Sequence, residues 1–341
     1  MSDERVLVVG GGPAGCAAAQ GCDEAVLDVA LLESREFPRD RPGETLHPGL
    51  EPLFRRLGVL EDVLAAGFPR HEGNWVRWGG PLRFDAFGAD ASGPWLGFQA
   101  WRADLDTLLL ERARQTGVEV LQPCRALKPL MRGNRVCGVL TGQGELPACF
   151  VVDAGGGGHW LARHLGLPVE RRSPRLIAHY GYAEGTCPDR EASPVLTADD
   201  DGWTWTAQVR PDLHQWTRLS LSGREPKGGW QPAALRALKS RGRTRGADVT
   251  WRRVRPAAGP GYYLTGDAAA VLDPASSHGV LKALMSGMLA AHRIVQTVRA
   301  GIPEEQTARS YDDWGRDGFE HDVRKLGELY TAIPAWKRRC V

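Results

Sequence analysis

Three stretches of this 341-residue chain bring together residue types that do chemistry. The first is Gly10, Gly12 and Gly15 in G-x-G-x-x-G spacing, enclosing Pro13 and Ala14, directly after the apolar run VLVV. The first glycine of such a run permits a tight turn, the second lets backbone approach a pyrophosphate, and the third lets a helix pack close to a sheet. The helix then offers free N–H groups and a positive dipole end to phosphate. The second stretch is LDPASSHGVLKALMSG, residues 272–287, with His278 at the seam between a small-residue loop and an apolar helix. An imidazole at a helix N-terminus is biased toward its neutral form, because the dipole disfavours added positive charge. Such a group can accept a proton from a phenol or an indole, and a histidine that only caps the helix is the plainer alternative. The third stretch, RPGETLHPG at 41–49, adds Glu44 and His47 as further acid–base candidates.

Definite elements must position these groups. VLVV reads as a buried parallel strand, and a second apolar run, VLDVALLE, ends at Glu33. An acidic residue there is placed to accept hydrogen bonds from a ribose, with Ser34 beside it. After Gly279 the residues Val280, Leu284, Met288 and Ala291 fall on one helical face, so that helix faces the core. Gly287 in its middle costs about 1 kcal/mol relative to alanine, which close packing would explain. Segments 176–184, 202–210 and 215–222 alternate with period two and predict an antiparallel sheet. Trp203 and Trp205 share one face of it, either as an aromatic wall with Ser276 for a flat substrate or as plain sheet packing. The arginine-rich stretch 236–255 predicts a solvated loop, with docking of an acidic partner or a nicotinamide phosphate as the sharper alternative. The tail from Ile302 predicts two helices and a basic end, KRRC.

The segment YYLTGDAAAVLDP at 262–274 leads a strand into Gly266-Asp267. With the glycine cradle it resembles the flavoprotein monooxygenase, halogenase and geranylgeranyl reductase superfamily, in a halogenase-like branch that also resembles flavoprotein maturases of quinone-cofactor oxidases. The resemblance extends to the 41–49 loop, to WRADLDTLLLERA led by Arg102, and to FVVDAGG with Asp153 and Ala154. It implies an α/β fold: a Rossmann-type FAD-binding domain (1–75, 100–165 and 255–300), an interleaved antiparallel substrate sheet (76–99 and 166–254) and C-terminal helices (301–341). It implies FAD as cofactor, with Asp267 on the ribityl chain and Pro274, Gly279 and Val280 at the pyrimidine edge of the ring. Arg41, Thr45 and Arg102 would approach the dinucleotide from the other side. The GGGG run at 155–158 is no second fingerprint, because Trp160 stands where its third glycine would fall. The electron donor is therefore NAD(P)H bound transiently or a partner flavin reductase.

Composition narrows the rest. A net charge of +2 argues against nucleic acid as partner, and no apolar run is long enough to span a membrane. The N-terminus lacks the form of a signal peptide, so a cytoplasmic protein is expected. The seven cysteines are scattered without a C-x-x-C pair and read as reduced thiols, and no metal set is expected.

Several flavin chemistries fit the resemblance. A family halogenase carries a lysine in its N-terminal third to capture hypohalous acid, and this chain has no lysine before Lys128. The family's Trp-x-Trp-x-Ile-Pro motif keeps only its tryptophans here, in GWTWTAQV, and Ser276 stands in the loop where tryptophan halogenases place a glutamate. The expectation is therefore a monooxygenase that hydroxylates an electron-rich aromatic through a flavin hydroperoxide, the aromatic being a small molecule or a tryptophan borne by a partner protein. Halogenation and dehydrogenation or reduction are the alternatives within the class. A non-catalytic FAD-binding accessory protein is the alternative outside it.

Overall fold

In the computed structural model, residues 4–187, 193–224, 226 and 230–339 are described; Cys340 and the end of the basic tail lie outside them. The strand Val6–Val9 is wholly buried and sits between Val29–Leu32 and Phe150–Asp153, all in parallel. Glu119–Leu121 and Tyr262–Leu264 extend this parallel sheet outward on either side, and Ala258–Gly259 closes one edge antiparallel. Burial on both faces explains why these strands are apolar runs rather than alternating ones. The helices Pro13–Asp23, Arg102–Thr116 and Gly279–Ala300 pack with this sheet around the larger core.

Small residues set the closest helix contact. A Cβ on Gly287 would lie 2.2 Å from the Ala14 carbonyl oxygen, and one on Gly21 would lie 2.8 Å from the Ala291 side chain. The Pro13–Asp23 and Gly279–Ala300 helices therefore run parallel, with both N-termini toward the same side. Eight residues of the second helix precede Gly287 and one of the first precedes Ala14, so at 1.5 Å per residue the second N-terminus reaches about 10 Å past the first.

The second layer is a seven-stranded, mostly antiparallel sheet in the order 239–248, 177–184, 213–220, 202–210, 195–199, 73–77 and 83–86. The arginine-rich segment is thus the edge strand Lys239–Asp248, not a loop. Its arginines alternate with small residues, among them glycines that lower strand propensity, but pairing with Ile177–Glu184 overrides that preference.

A second core of Trp78, Trp203, Trp205, Trp251, Tyr330 and Trp336 lies under this sheet. The 27-residue helix Glu304–Tyr330 joins both layers. Near its start Tyr311 donates to the Leu264 carbonyl at 2.7 Å and Asp312 accepts from Ala257 N–H at 2.8 Å. Near its end the Leu329 carbonyl accepts from the Trp78 indole at 2.7 Å. No helix among the described residues is long and apolar enough to cross a membrane.

Candidate functional site

The glycine cradle is built by close approach. Gly10 has φ 107°, and a Cβ there would meet the Ala154 carbonyl oxygen at 2.6 Å; one on Gly15 would meet the Gly10 carbonyl oxygen at 1.8 Å. Gly12 differs, because its nearest neighbour is the Arg39 guanidinium at 3.5 Å and space is open beside it. Gly12 caps the first helix without any side-chain hydrogen bond, and Pro13 follows at the first helical position. Glu33 is buried, and its carboxylate accepts from Gly11 N–H and Arg35 N–H, both at 2.9 Å. Ser34 is exposed and its hydroxyl lies 3.3 Å from the same carboxylate.

Arg39 was not singled out from the sequence and is central here. It is nearly buried, 3.6 Å from Glu33 and 3.8 Å from Asp106, and its Nε makes no hydrogen bond among the described residues. A buried guanidinium with an orphan donor beside an uncapped helix N-terminus fits an anionic ligand, and a pyrophosphate satisfies both. Arg41, by contrast, is exposed. Asp153 is fully buried and accepts from Gly155 and Leu161 N–H, so it shapes its own turn, while Ala154 packs against Gly10 and Gly15.

Arg102 leads the next wall. It pairs with buried Asp106 at 2.9 Å and donates to the Pro42 carbonyl at 3.1 Å. Thr45 is occupied by Gln99 at 2.8 Å and by the Trp205 indole at 3.1 Å, which ties the antiparallel sheet to the 41–49 loop. Trp203 lies fully buried in the second core and donates to the Tyr330 hydroxyl at 2.6 Å, so it presents no surface to a pocket. The packing alternative describes it; the reason is the C-terminal helix, which covers that face.

At the ring end, Gly266 has φ 53° and its N–H donates to Ser286 Oγ at 2.9 Å. Asp267 is exposed on this turn, while desolvation by the protein around it raises its pKa against the opposing pull of Arg102 and Arg252. The short turn Pro274–Ser276 is capped by Asp273, which accepts from Ala275 N–H at 2.8 Å and from the Tyr330 hydroxyl. Ser276 Oγ bonds the Asp273 carbonyl at 2.8 Å and Ser277 takes a left-handed conformation. His278 then caps the long helix without a side-chain hydrogen bond, nothing lies within 4 Å of a Cβ built on Gly279, and Val280 is buried.

His278 and His47 meet here, ring centroids 5.2 Å apart. His47 Nδ1 accepts from Gly49 N–H at 3.0 Å, which leaves the neutral ring's proton on Nε2. Phe87 touches His47 at 5.3 Å and His71 at 5.2 Å, so a row of four rings lines this end. Burial lowers the His278 pKa to about 4, with His47 and Lys282 acting in the same direction. Burial lowers His47 as well. Glu44 is buried and its pKa is raised by burial, against hydrogen bonds from Tyr182 at 2.6 Å and Gly43 N–H at 2.7 Å. The imidazoles of His278 and His47 thus stand together at an uncapped helix N-terminus, and the buried Glu44 carboxyl belongs to the same 41–49 loop as His47. Phe87, His71 and Tyr182 gave no sequence signal, because their contacts join segments far apart in the chain. Among the described residues no group of three or more His, Cys, Asp or Glu could hold a metal.

The geometry fits one extended dinucleotide: anion-seeking groups at one helix start, and open small-residue backbone at another about 10 Å on. Comparison with known proteins agrees. The sequence is 29% identical to a tryptophan 2-halogenase from Chondromyces crocatus over 91% of this chain, which spans 64% of that enzyme's length. It is 28% identical to a 1H-pyrrole-2-carbonyl-[peptidyl-carrier protein] brominase from Pseudoalteromonas luteoviolacea, over 92% of this chain and 82% of that one. The structure superposes on the myxobacterial chondrochloren halogenase with a TM-score of 0.89 at 25% identity, covering 98% of this chain and 85% of that one. A probable FAD-dependent monooxygenase from Pseudomonas aeruginosa shares the fold at 18% identity and TM-score 0.83, over 99% of this chain and 98% of that one. The FAD binding domain family model matches residues 3–192, more than half of the sequence, and the chain belongs to that family of flavin-dependent enzymes.

Proposed function

We propose that this protein uses FAD to oxidise an electron-rich aromatic substrate, and that halogenation is the reading its relatives favour. Support comes from the named halogenases, which match nine-tenths of the chain. The observation that carries the aromatic oxidation itself is the His278–His47 pair beside the uncapped helix N-terminus. Bound FAD would supply two-electron redox chemistry and the activation of dioxygen. The chain's residues do the remainder. Gly12, Arg39 and the Pro13–Asp23 helix hold the diphosphate. Asp267 and Arg102 orient the middle of the dinucleotide. The uncapped start of the Gly279–Ala300 helix would offer N–H groups and a positive dipole end to the flavin, favouring a form that carries negative charge. His278, neutral at working pH, accepts the proton that an aromatic ring releases on substitution.

Hydroxylation is the second reading, and one observation favours it: no lysine precedes Lys128. The substrate is an aromatic small molecule or an aromatic group borne by a protein. Relatives that act on 1H-pyrrole-2-carbonyl carried by a peptidyl-carrier protein support the protein-borne form. NAD(P)H or a separate reductase supplies the electrons. The deciding experiment supplies FAD, a flavin reductase and bromide with free tryptophan or pyrrole-loaded carrier protein, and reads the product by mass spectrometry. A bromine isotope doublet supports halogenation. Gain of one oxygen atom, with or without bromide, replaces it with hydroxylation.

A further inference from the structure

Resting on the protein-borne form of that substrate, we propose that the edge strand Lys239–Asp248 is the docking rim for an acidic substrate-carrying protein. Residues 236–245 hold five cations, Arg236, Lys239, Arg241, Arg243 and Arg245, and no carboxylate, in a chain whose net charge is only +2. Four of the five lie on this strand, which borders the seven-stranded sheet and is exposed along nearly all its length. Among the described residues, no carboxylate lies within ion-pair distance of Lys239, Arg243 or Arg245. Arg241 lies 3.6 Å from Glu184, and the strand's own Asp248 is engaged by Arg252 at 3.2 Å. Unpaired guanidiniums along an open strand edge draw an acidic surface at long range and fix its register on arrival.

The strand also lies beside the site. Arg241 and Arg245 stand opposite Tyr182 and Tyr180 in the strand pairing. Tyr182 reaches Glu44 through its hydroxyl and packs edge-on against Trp101, the residue preceding Arg102. Arg241 and Arg210 both lie over the Trp101 ring, at 5.9 and 5.2 Å. A partner seated on this edge is therefore two side chains from the 41–49 loop. Charge on an exposed edge also blocks sheet-to-sheet aggregation, which alone would account for the arginines. That explanation predicts no response to a folded acidic partner, so the two accounts separate experimentally.

The test uses the FAD-loaded protein and a peptidyl-carrier protein bearing 1H-pyrrole-2-carbonyl as probe. Stopped-flow association rates are measured at low and at raised salt for the wild type and for the Lys239→Gln, Arg243→Gln, Arg245→Gln triple variant. The expected result is wild-type association that slows steeply with salt. The variant should associate about tenfold more slowly at low salt, with little change in dissociation rate or flavin content. Equal rates and salt dependence in the two proteins would overturn the proposal, as would a wild type that ignores the carrier. A variant that binds the carrier normally but loses reduction by NADPH would assign the arginines to a nucleotide and overturn it equally. A wild type without flavin would sink the functional reading itself, a failure visible before any carrier is added.

Discussion

His278 concentrates the chemistry of this site into one side chain. Its ring sits at a helix start, beside His47 and partly out of water, and each of these disfavours the imidazolium. A histidine with an ordinary pKa of 6.5 and a folded-state value of about 4 binds fewer protons in the native state between those values. The contribution of His278 to the stability of the FAD-free protein is therefore full above about pH 6.5 and is lost as pH drops toward 4. Urea titrations of the wild type and of His278→Gln across that range should differ by this share, with the shallower fall in the variant. His278→Ala should retain FAD and slow substrate oxidation; unchanged turnover would remove the imidazole from the chemistry. Tyr182→Phe takes a donor from the buried Glu44 carboxyl and should cost about 1–3 kcal/mol, measurable by the same titration. The glycines were legible in the sequence because close backbone approach tolerates few other residues, whereas Asp267 was marked only by the family resemblance. Arg39, Tyr182 and Phe87 were not, since a side chain's partner across a fold leaves no spacing to read.

The elements carry the site through two contacts. One is the packing of the Gly279–Ala300 helix on the Pro13–Asp23 helix, which sets the offset between their N-termini. Gly287→Val drives a side chain into the Ala14 carbonyl and should cost about 1–3 kcal/mol or more, with weaker FAD retention in the surviving fold. Absorbance of the purified variant and its urea midpoint check both parts. The other contact is Tyr330, whose hydroxyl donates to Asp273 and accepts from the Trp203 indole. Burial raises the Asp273 pKa to about 6, so the loop before His278 rests on a carboxyl that depends on its donors. Tyr330→Phe keeps the ring among Trp78, Trp251 and Trp336 and removes only the hydroxyl. Amide hydrogen exchange at 275–278 should then quicken while the rest of the chain is unchanged. The parallel strands and long helices could be read from apolar periodicity. The 236–255 expectation failed because composition was weighed above the alternation of Arg241, Arg243 and Arg245, and because the partner strand lay some sixty residues away.

At the scale of the molecule, the fold brings residue 10 and residue 279 to one face, although most of the sequence lies between them. Interleaving does this: the parallel sheet takes its last strand from Tyr262–Leu264, after the antiparallel sheet has been inserted, and the Glu304–Tyr330 helix fastens the two layers. The most direct test of the whole account is a titration of flavin-stripped protein with FAD, followed by the flavin absorbance shift and by thermal melting. Saturation near one FAD per chain is predicted, with a raised melting temperature and an affinity greatly weakened by Gly12→Leu. A colourless protein that takes up no FAD, or a Gly12→Leu variant that binds it undiminished, would contradict the account.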